Sequence, residues 1–315
     1  MKLFRRVLVG LFAAAGLALA AGAAQAKDLT IIMVTHGEAS DPFWAAVKKG
    51  ADDAGKAMHA TVLYRAPETF DMVKMAQLIR AATNQRPDGL VVSIPDADAL
   101  GSAIKGAVAS GIPVISINSG VDVASKLGVL LHVGQPEYDA GKIAGQKLAQ
   151  MGGTKGICFN QEVGNVALDE RCKGFADGFG HPVKVLPTTL DPSTTQAKVR
   201  GTLQSDPSVN TFLTLEAPGV GEPVVAAVKA MGLTKPPLIA SFDLSPGFLK
   251  AVANGQAAFA IDQQPYLQGY LPVMFLSLYA RYGLIPETPV IASGPNLITK
   301  DKASQVIKLS GESVR

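Results

Sequence analysis

Residues 87–120 read PDGLVVSIPDADALGSAIKGAVASGIPVISINSG, and this stretch decides the fold. Gly89–Ile94 is a short, β-branched apolar run. It does not alternate with polar residues, so it predicts a strand buried on both faces of a sheet. Ala97–Ser110 carries a helical pattern, and Pro113–Ile117 is a second strand of the same kind. A buried strand, a helix and another buried strand in succession make one unit of a parallel α/β sheet.

Working outward, the same rhythm fills the chain. Upstream come strand Leu29–Thr35, helix Pro42–Ala57, strand Ala60–Arg65 and helix Thr69–Asn84. After about Gly134 the rhythm restarts with helix Pro136–Met151, strand Gly156–Asn160 and helix Asn165–Phe179. Strand Val183–Pro187, helix Thr194–Ser205, strand Thr211–Leu215 and helix Val220–Met231 follow. Strand Pro237–Phe242, helix Pro246–Asn254, strand Ala258–Asp262, helix Leu267–Tyr282 and a short tail complete the reading. The predicted class is α/β: two doubly wound parallel-sheet lobes in tandem. No Gly/Ser- or Pro-rich linker parts them, so a hinge with several crossings fits better than separate beads. Ligands of such sheets bind beyond the carboxyl ends of the strands. The residues that matter are therefore those just after each strand.

Composition narrows the function. The chain of 315 residues is 48% hydrophobic and 17% charged, which excludes a disordered protein and suffices for two cores. Lys+Arg total 29 against Asp+Glu 26; setting aside Lys2, Arg5 and Arg6 leaves 26 against 26. No basic excess marks a nucleic-acid partner. One tryptophan and 6% aromatics do not furnish a base-stacking platform. Two cysteines and four histidines leave little for a zinc site, and neither a metal nor a cofactor is expected.

Met1–Ala26 reads as a secretory signal peptide: a basic start, an apolar run from Val7 to about Ala20, and Ala24-Gln25-Ala26 for cleavage. That run is shorter than the ~20 residues a spanning helix needs. The mature chain is expected in the periplasm, where an oxidising milieu permits a Cys158–Cys172 disulfide. Its loop of about 14 residues corresponds to roughly 3 kcal/mol in the chain-entropy model. The other reading is two small buried hydrophobes.

Several strand ends carry polar or aromatic groups. Asp41 and Pro42 open the helix after the first strand, with Asp41 as a cap, and Phe43 and Trp44 sit in its first turn. One of those rings can face a cleft and stack on a sugar, or both can be ordinary core. Asn118 follows the fourth strand as a donor and acceptor, or simply as a turn residue beside Gly120. Arg171 offers a fork for vicinal oxygens, or a surface ion pair. Glu216, Asp243 and Gln263 end three further strands. Lone carboxylates and amides placed this way suit a neutral, hydroxyl-rich ligand, because such a site rejects analogues lacking the hydroxyl by roughly 10⁴. No Gly-x-Ser-x-Gly, His-Glu-x-x-His or Walker A sequence is present, and no catalytic residue is assigned. His36 reads as a surface or capping residue.

Asp41-Pro42-Phe43-Trp44, Pro87-Asp88-Gly89-Leu90-Val91-Val92, Gly111-Ile112-Pro113-Val114-Ile115, the helix opening at Asp139, Phe242-Asp243 and Gln263-x-Pro265 carry a likeness across the mature chain. It resembles the ribose/galactose-type periplasmic sugar-binding proteins, the solute receptors of ABC importers. The resemblance implies three crossings, near Leu131–Gly134, Asp262–Gln264 and Pro289–Gly294. It implies a first lobe of residues 27–132 plus 264–291 and a second of 133–263 plus 292–315. It implies ligand contacts at Asp41, Phe43, Trp44, Asn118, Arg171, Asp243 and Gln263, with Glu216 where ribose-type members often carry Asn. Asn118-Ser119 replaces a frequent Asp-Arg pair. Both departures make the pocket more acidic, which suits a polyol, an inositol or an amino-bearing derivative. The implied partners are a sugar or polyol and an ABC permease, with a monomeric receptor. A receptor for a sugar-like signal or a nucleoside, feeding a chemoreceptor or sensor kinase, is the competing reading. A repressor effector domain would need an N-terminal helix-turn-helix, and an enzyme would need a nucleophile or acid–base pair.

Overall fold

A computed structural model describes residues 28–37 and 41–315. The signal-peptide reading of Met1–Ala26 lies outside the described residues. Two six-stranded sheets organise the rest. The first contains β1 (Leu29–Val34), β2 (Ala60–Arg65), β3 (Gly89–Ser93), β4 (Val114–Ile117), β5 (Leu131–Gly134) and, from far along the chain, β11 (Val290–Ala292). Its order is β11-β5-β4-β3-β1-β2, parallel throughout. The second contains β6 (Gly156–Asn160), β7 (Val183–Pro187), β8 (Thr211–Thr214), β9 (Leu238–Phe242), β10 (Phe259–Asp262) and β12 (Asn296–Ile298). Its order is β12-β10-β9-β8-β6-β7, with only β12 antiparallel. The two orders are the same pattern, so β1, β3, β4 and β5 correspond to β6, β8, β9 and β10.

Burial explains the strand sequences. The central β3, β4, β6 and β8 are buried at every position. β2 and β7 sit at the edges and are half-exposed, which accounts for Thr61 in one and Lys184 in the other. The helices α1 (Pro42–Ala57), α2 (Met72–Asn84), α3 (Ala97–Ala109), the short α4 (Val121–Ala124) and α10 (Pro265–Tyr282) cover the first sheet. The second is covered by α5 (Glu137–Gln150), α6 (Val166–Phe179), α7 (Pro192–Ser205), α8 (Glu222–Ala230), α9 (Pro246–Ala253) and α11 (Lys300–Gly311).

Helix starts follow their caps. The expected helix Thr69–Asn84 begins at Met72 because the Asp71 carboxylate accepts from Lys74 N. The expected helix Thr194–Ser205 begins two residues earlier, at Pro192, where Asp191 accepts from Ser193 N and Thr194 N. Asp191-Pro192 thus repeats the Asp41-Pro42 start of α1. The tail is not structureless: β11, β12 and α11 occupy it, and α11 packs on α9.

α5 and α6 meet through glycine. A Cβ on Gly141 would lie 2.1 Å from Arg171 O, and one on Gly174 would lie 2.0 Å from Tyr138 O. A Cβ on Gly145 would lie 2.4 Å from Phe175 O and one on Gly178 2.1 Å from Lys142 O. The disulfide Cys158–Cys172 ties the same α6 to β6, with Cα atoms 5.8 Å apart and both residues buried.

The chain passes between the sheets after β5, after β10 and between β11 and β12. The strands β5 and β11 run on to Gly134 and Ala292, slightly past the lobe limits read from the sequence at 132 and 291. The crossings are laced together. Ser293 N donates to Gly134 O at 2.8 Å and Gln264 Nε2 donates to Ser293 O at 2.7 Å.

Candidate functional site

The carboxyl ends of both sheets face one cavity of about 40 Å³. A buried water needs roughly 10–15 Å³ by the same measure, so the space suits only a few waters in this conformation. All eight residues singled out from the sequence line it: Asp41, Phe43, Trp44, Asn118, Arg171, Glu216, Asp243 and Gln263. His36, Gln161, Glu162, Leu168 and Leu215 complete the wall. A larger groove of about 540 Å³ lies at the opposite end of the second sheet, lined by Val225, Val228, Leu233, Ile239 and Val252. It has few polar side chains and gathers no converging hydrogen-bonding groups, so volume alone does not mark the site.

The first sheet supplies rings. Asp41 caps α1, its Oδ1 accepting from Phe43 N at 2.8 Å and Trp44 N at 3.3 Å. That capping is what holds both rings at the cleft end of the helix. Trp44 is buried and meets Phe43 edge-on, with centroids 5.1 Å apart. His36 is not a surface residue: it is 5% exposed and sits edge-on to Trp44 at 4.8 Å. Its backbone N–H donates to Ser93 Oγ, and its Nδ1 lies 2.8 Å from the same oxygen. Burial, with the Arg171 charge adding to it, pushes the imidazole down to about 3, so His36 is neutral at pH 7.

The second sheet supplies charge. Arg171 is 2% exposed rather than part of a surface pair. Its Nε donates to Glu137 Oε2 at 2.6 Å and its Nη2 to Glu137 Oε1 at 3.0 Å, the bidentate fork typical of arginine. Nη2 also reaches Gln263 Oε1 at 3.0 Å, Nη1 reaches Leu215 O at 3.4 Å, and the guanidinium lies over Phe242 at 4.5 Å. Gln263 in turn donates from Nε2 to Asp243 Oδ1. Glu216 opens a π-helical turn, Ala217–Gly221, and accepts through Oε2 from Gly219 N and Val220 N. Glu162 accepts from Asn165 Nδ2 at 2.7 Å.

These carboxylates disturb one another. Burial raises Asp243 to about 7, against the pull of Arg171 and Gln263, with Asp41 and Glu137 adding repulsion. Burial also lifts Glu216 well above the carboxylate range, helped by the charges of Asp41 and Asp243. Asp41 and Glu162 are raised as well, each first by burial.

Asn118 and Asp243 occupy corresponding strand ends, after β4 and β9, and both have φ in the left-handed region, 60° and 67°. Asn and Asp tolerate that region better than other side chains. The same turn at both places aims a short polar group into the cleft. Sequence reading missed Glu137 and passed over Gln161 and Glu162. The strand-end rule applied to β6 would have selected the last two. Glu137 is visible only once α5 lies beside α6. Among the described residues, no group of three or more His, Cys, Asp or Glu is placed to hold a metal ion.

Two doubly wound lobes, laced by three crossings and facing each other across converging polar side chains, define a two-lobed α/β binding protein. The chain belongs to the periplasmic binding protein domain family, whose model matches residues 31–283. It is 29% identical to the ribose import binding protein of Haemophilus influenzae, over 82% of this chain and 87% of that one. It is 26% identical to the xylose/arabinose-binding protein of Sulfolobus acidocaldarius, over 85% of this chain and 70% of that one. Among solved structures, a carbohydrate transporter of Acidothermus cellulolyticus in complex with myo-inositol superposes with a TM-score of 0.86 at 36% identity. That match covers 92% of this chain and all of the other. The chain is a binding protein and not an enzyme.

Proposed function

We propose that this protein captures a monosaccharide or cyclic polyol between its lobes and presents it to an ABC importer's permease in the periplasm. The observation that carries this reading is the convergence of two rings from the first sheet and five acidic or amide side chains from the second on one interlobe cavity. Rings suit the apolar face of a sugar, and carboxylates accept its hydroxyl protons two at a time. Relatives named for ribose, xylose/arabinose and myo-inositol point to the same ligand class. Export would use Met1–Ala26 as a cleaved signal peptide, and the receptor would act as a monomer.

The mechanism is hinge closure. The two lobes, with β5 and β11 kept whole in the first, move as two bodies about the three crossings. A cavity of about 40 Å³ cannot admit a six-membered polyol, so the lobes must part for entry. In this conformation the lips touch: Val166 N, at the start of α6, donates to Pro95 O, just after β3, at 3.0 Å. A ligand that contacts both lobes stabilises the closed state by that difference in contacts.

Thermal unfolding against a panel of pentoses, hexoses and inositols tests the reading. A ligand at 100 times its Kd adds about 2.7 kcal/mol, which raises the midpoint by roughly 5 °C in a chain of this size. Asp243→Ala should abolish the shift. A panel without any shift, on protein freed of co-purified solute, would exclude the sugar and polyol class.

A further inference from the structure

The hydrogen-bonding capacity of the cleft is lopsided. Four carboxylates line it, those of Asp41, Glu162, Glu216 and Asp243. For each of Asp41, Glu162 and Glu216, a single oxygen makes all the hydrogen bonds: Oδ1 to Phe43 N and Trp44 N, Oε2 to Asn165, and Oε2 to Gly219 N and Val220 N. In Asp243, Oδ1 accepts from Gln263. The second oxygen of each has no hydrogen-bond donor among the described residues. Gln161 Oε1, a fifth acceptor in the same wall, is buried with no partner at all.

Cationic donors are scarce by contrast; the Trp44 indole N–H and the Asn118 and Gln161 amides in the same wall are neutral. Among the described residues Arg171 is the sole guanidinium or ammonium in the lining, and Glu137 already takes two of its N–H groups. Gln263 and Leu215 O take two more of its five. Gln263 spends an amide N–H on Asp243. His36 engages Ser93 and is neutral. One guanidinium, already paired with Glu137, is all that faces the four cleft carboxylates among the described lining residues. Burying unpaired charge is costly, and proteins relieve it by neutralising the group or supplying a partner.

Building on the proposed polyol reading, we infer that the preferred ligand bears an ammonium group, an amino sugar or an aminocyclitol, with its cation seated among Asp41, Glu216 and Asp243. Asp41, Glu216 and Asp243 line the same small cavity, and burial first, with the charges of Asp41 and Asp243 adding to it, raises Glu216. A neutral polyol can donate hydroxyl hydrogen bonds to these carboxylates but leaves their charge uncompensated. An ammonium group provides the positive charge that the wall lacks, and the rings of Phe43 and Trp44 remain available to the ring face of the same ligand.

The test is isothermal titration of the purified, solute-free protein at pH 7 with matched pairs: myo-inositol against an inosamine, and glucose against glucosamine. In at least one pair the amine should bind tenfold or more tightly. Its binding should release protons, read from titrations in buffers of different ionisation enthalpy, because carboxyls protonated in the free protein ionise beside the cation. Glu216→Gln, whose amide oxygen can still accept from Gly219 N and Val220 N, should reduce the preference to about twofold, read as the ratio of the two dissociation constants within each pair. Asp41→Asn should act in the same direction and serves if the first variant is unstable. Equal or tighter binding of the neutral member in both pairs would overturn the inference and leave the polyol reading intact. Failure of every member to bind would overturn the inference, and the wider panel of pentoses, hexoses and inositols then decides the polyol reading.

Discussion

The two lobes are built on one plan and treat the cleft in opposite ways. β1 and β6 correspond, as do β4 and β9, and each pair ends in a residue that faces the cavity. After β1 stands His36, packed on Trp44; after β6 stands Gln161-Glu162. Asn118 after β4 is answered by Asp243 after β9, with the same left-handed backbone. The first lobe therefore offers a ring-lined wall with a single carboxylate, Asp41, while the second offers three carboxylates and a guanidinium. A shared framework constrains where a side chain points and leaves its chemistry free. The difference teaches that the ligand has two unlike sides: an apolar face for one wall and a donor-rich rim for the other.

The harshest way to break the comparison is to remove the second lobe's cation. Arg171→Met leaves Glu137 buried without its partner and frees Gln263. Breaking a buried pair costs about 3–5 kcal/mol, so denaturant unfolding should show a loss of that order along with loss of ligand binding. A stability change below about 1 kcal/mol would mean that the Glu137–Arg171 pair does not carry the wall.

Acid and base should stress the two lobes in opposite senses. His36 is held near 3 and His132, buried in β5, near 4, both lowered by burial. Their unfolded forms take up protons first, so this contribution is full above about pH 6.5 and is lost as pH falls towards 4 and 3. Asp243 is raised to about 7. Its folded form holds the proton longer than the unfolded chain, so its contribution is full below about pH 4 and is lost as pH rises towards 7. Measured between pH 4 and 7, unfolding free energies of Asp243→Asn should fall less with rising pH than those of the parent. His36→Gln should lose less stability on acidification. Parallel profiles for parent and both variants would refute the assignment.

The mildest probe acts where the lobes touch. Val166 occupies the first position of α6, after Asn165 with φ −81° and ψ 108°, a backbone that accepts a following proline. Val166→Pro deletes the N–H that reaches Pro95 O and spares the helix. A net hydrogen bond of about 0.5–1.5 kcal/mol corresponds to a roughly 2- to 12-fold weaker affinity, expected as faster dissociation in stopped-flow. An unchanged dissociation rate would show that the lip contact does not stabilise closure.

Much of this was legible in the sequence, for a specific reason. In doubly wound sheets the ligand side is fixed by strand direction, so Asp41, Asn118, Glu216, Asp243 and Gln263 could be found by counting to the ends of buried apolar runs. What escaped was whatever depends on one element lying beside another. Glu137 matters because α5 packs on α6, and His36 is buried because Trp44 and Phe70 close over it. The strands β11 and β12 are only three residues long, too short to show a pattern, and are held by their partners β5 and β10.

The glycine seam between α5 and α6 has a mechanical consequence. Where peptide planes touch without intervening side chains, no rotamer can give way, and the seam is stiff in the way a welded joint is stiff. Gly141 meets the carbonyl of Arg171 itself, and Cys172 beside it is bolted to β6. The guanidinium is thus mounted on a strut that cannot flex independently of its lobe. Strain from a ligand that fits poorly cannot be absorbed locally and is transmitted whole to the three crossings. A poor fit would therefore be reported as incomplete closure, so the lobe works as a lever that turns small errors in the pocket into large displacements at the rim.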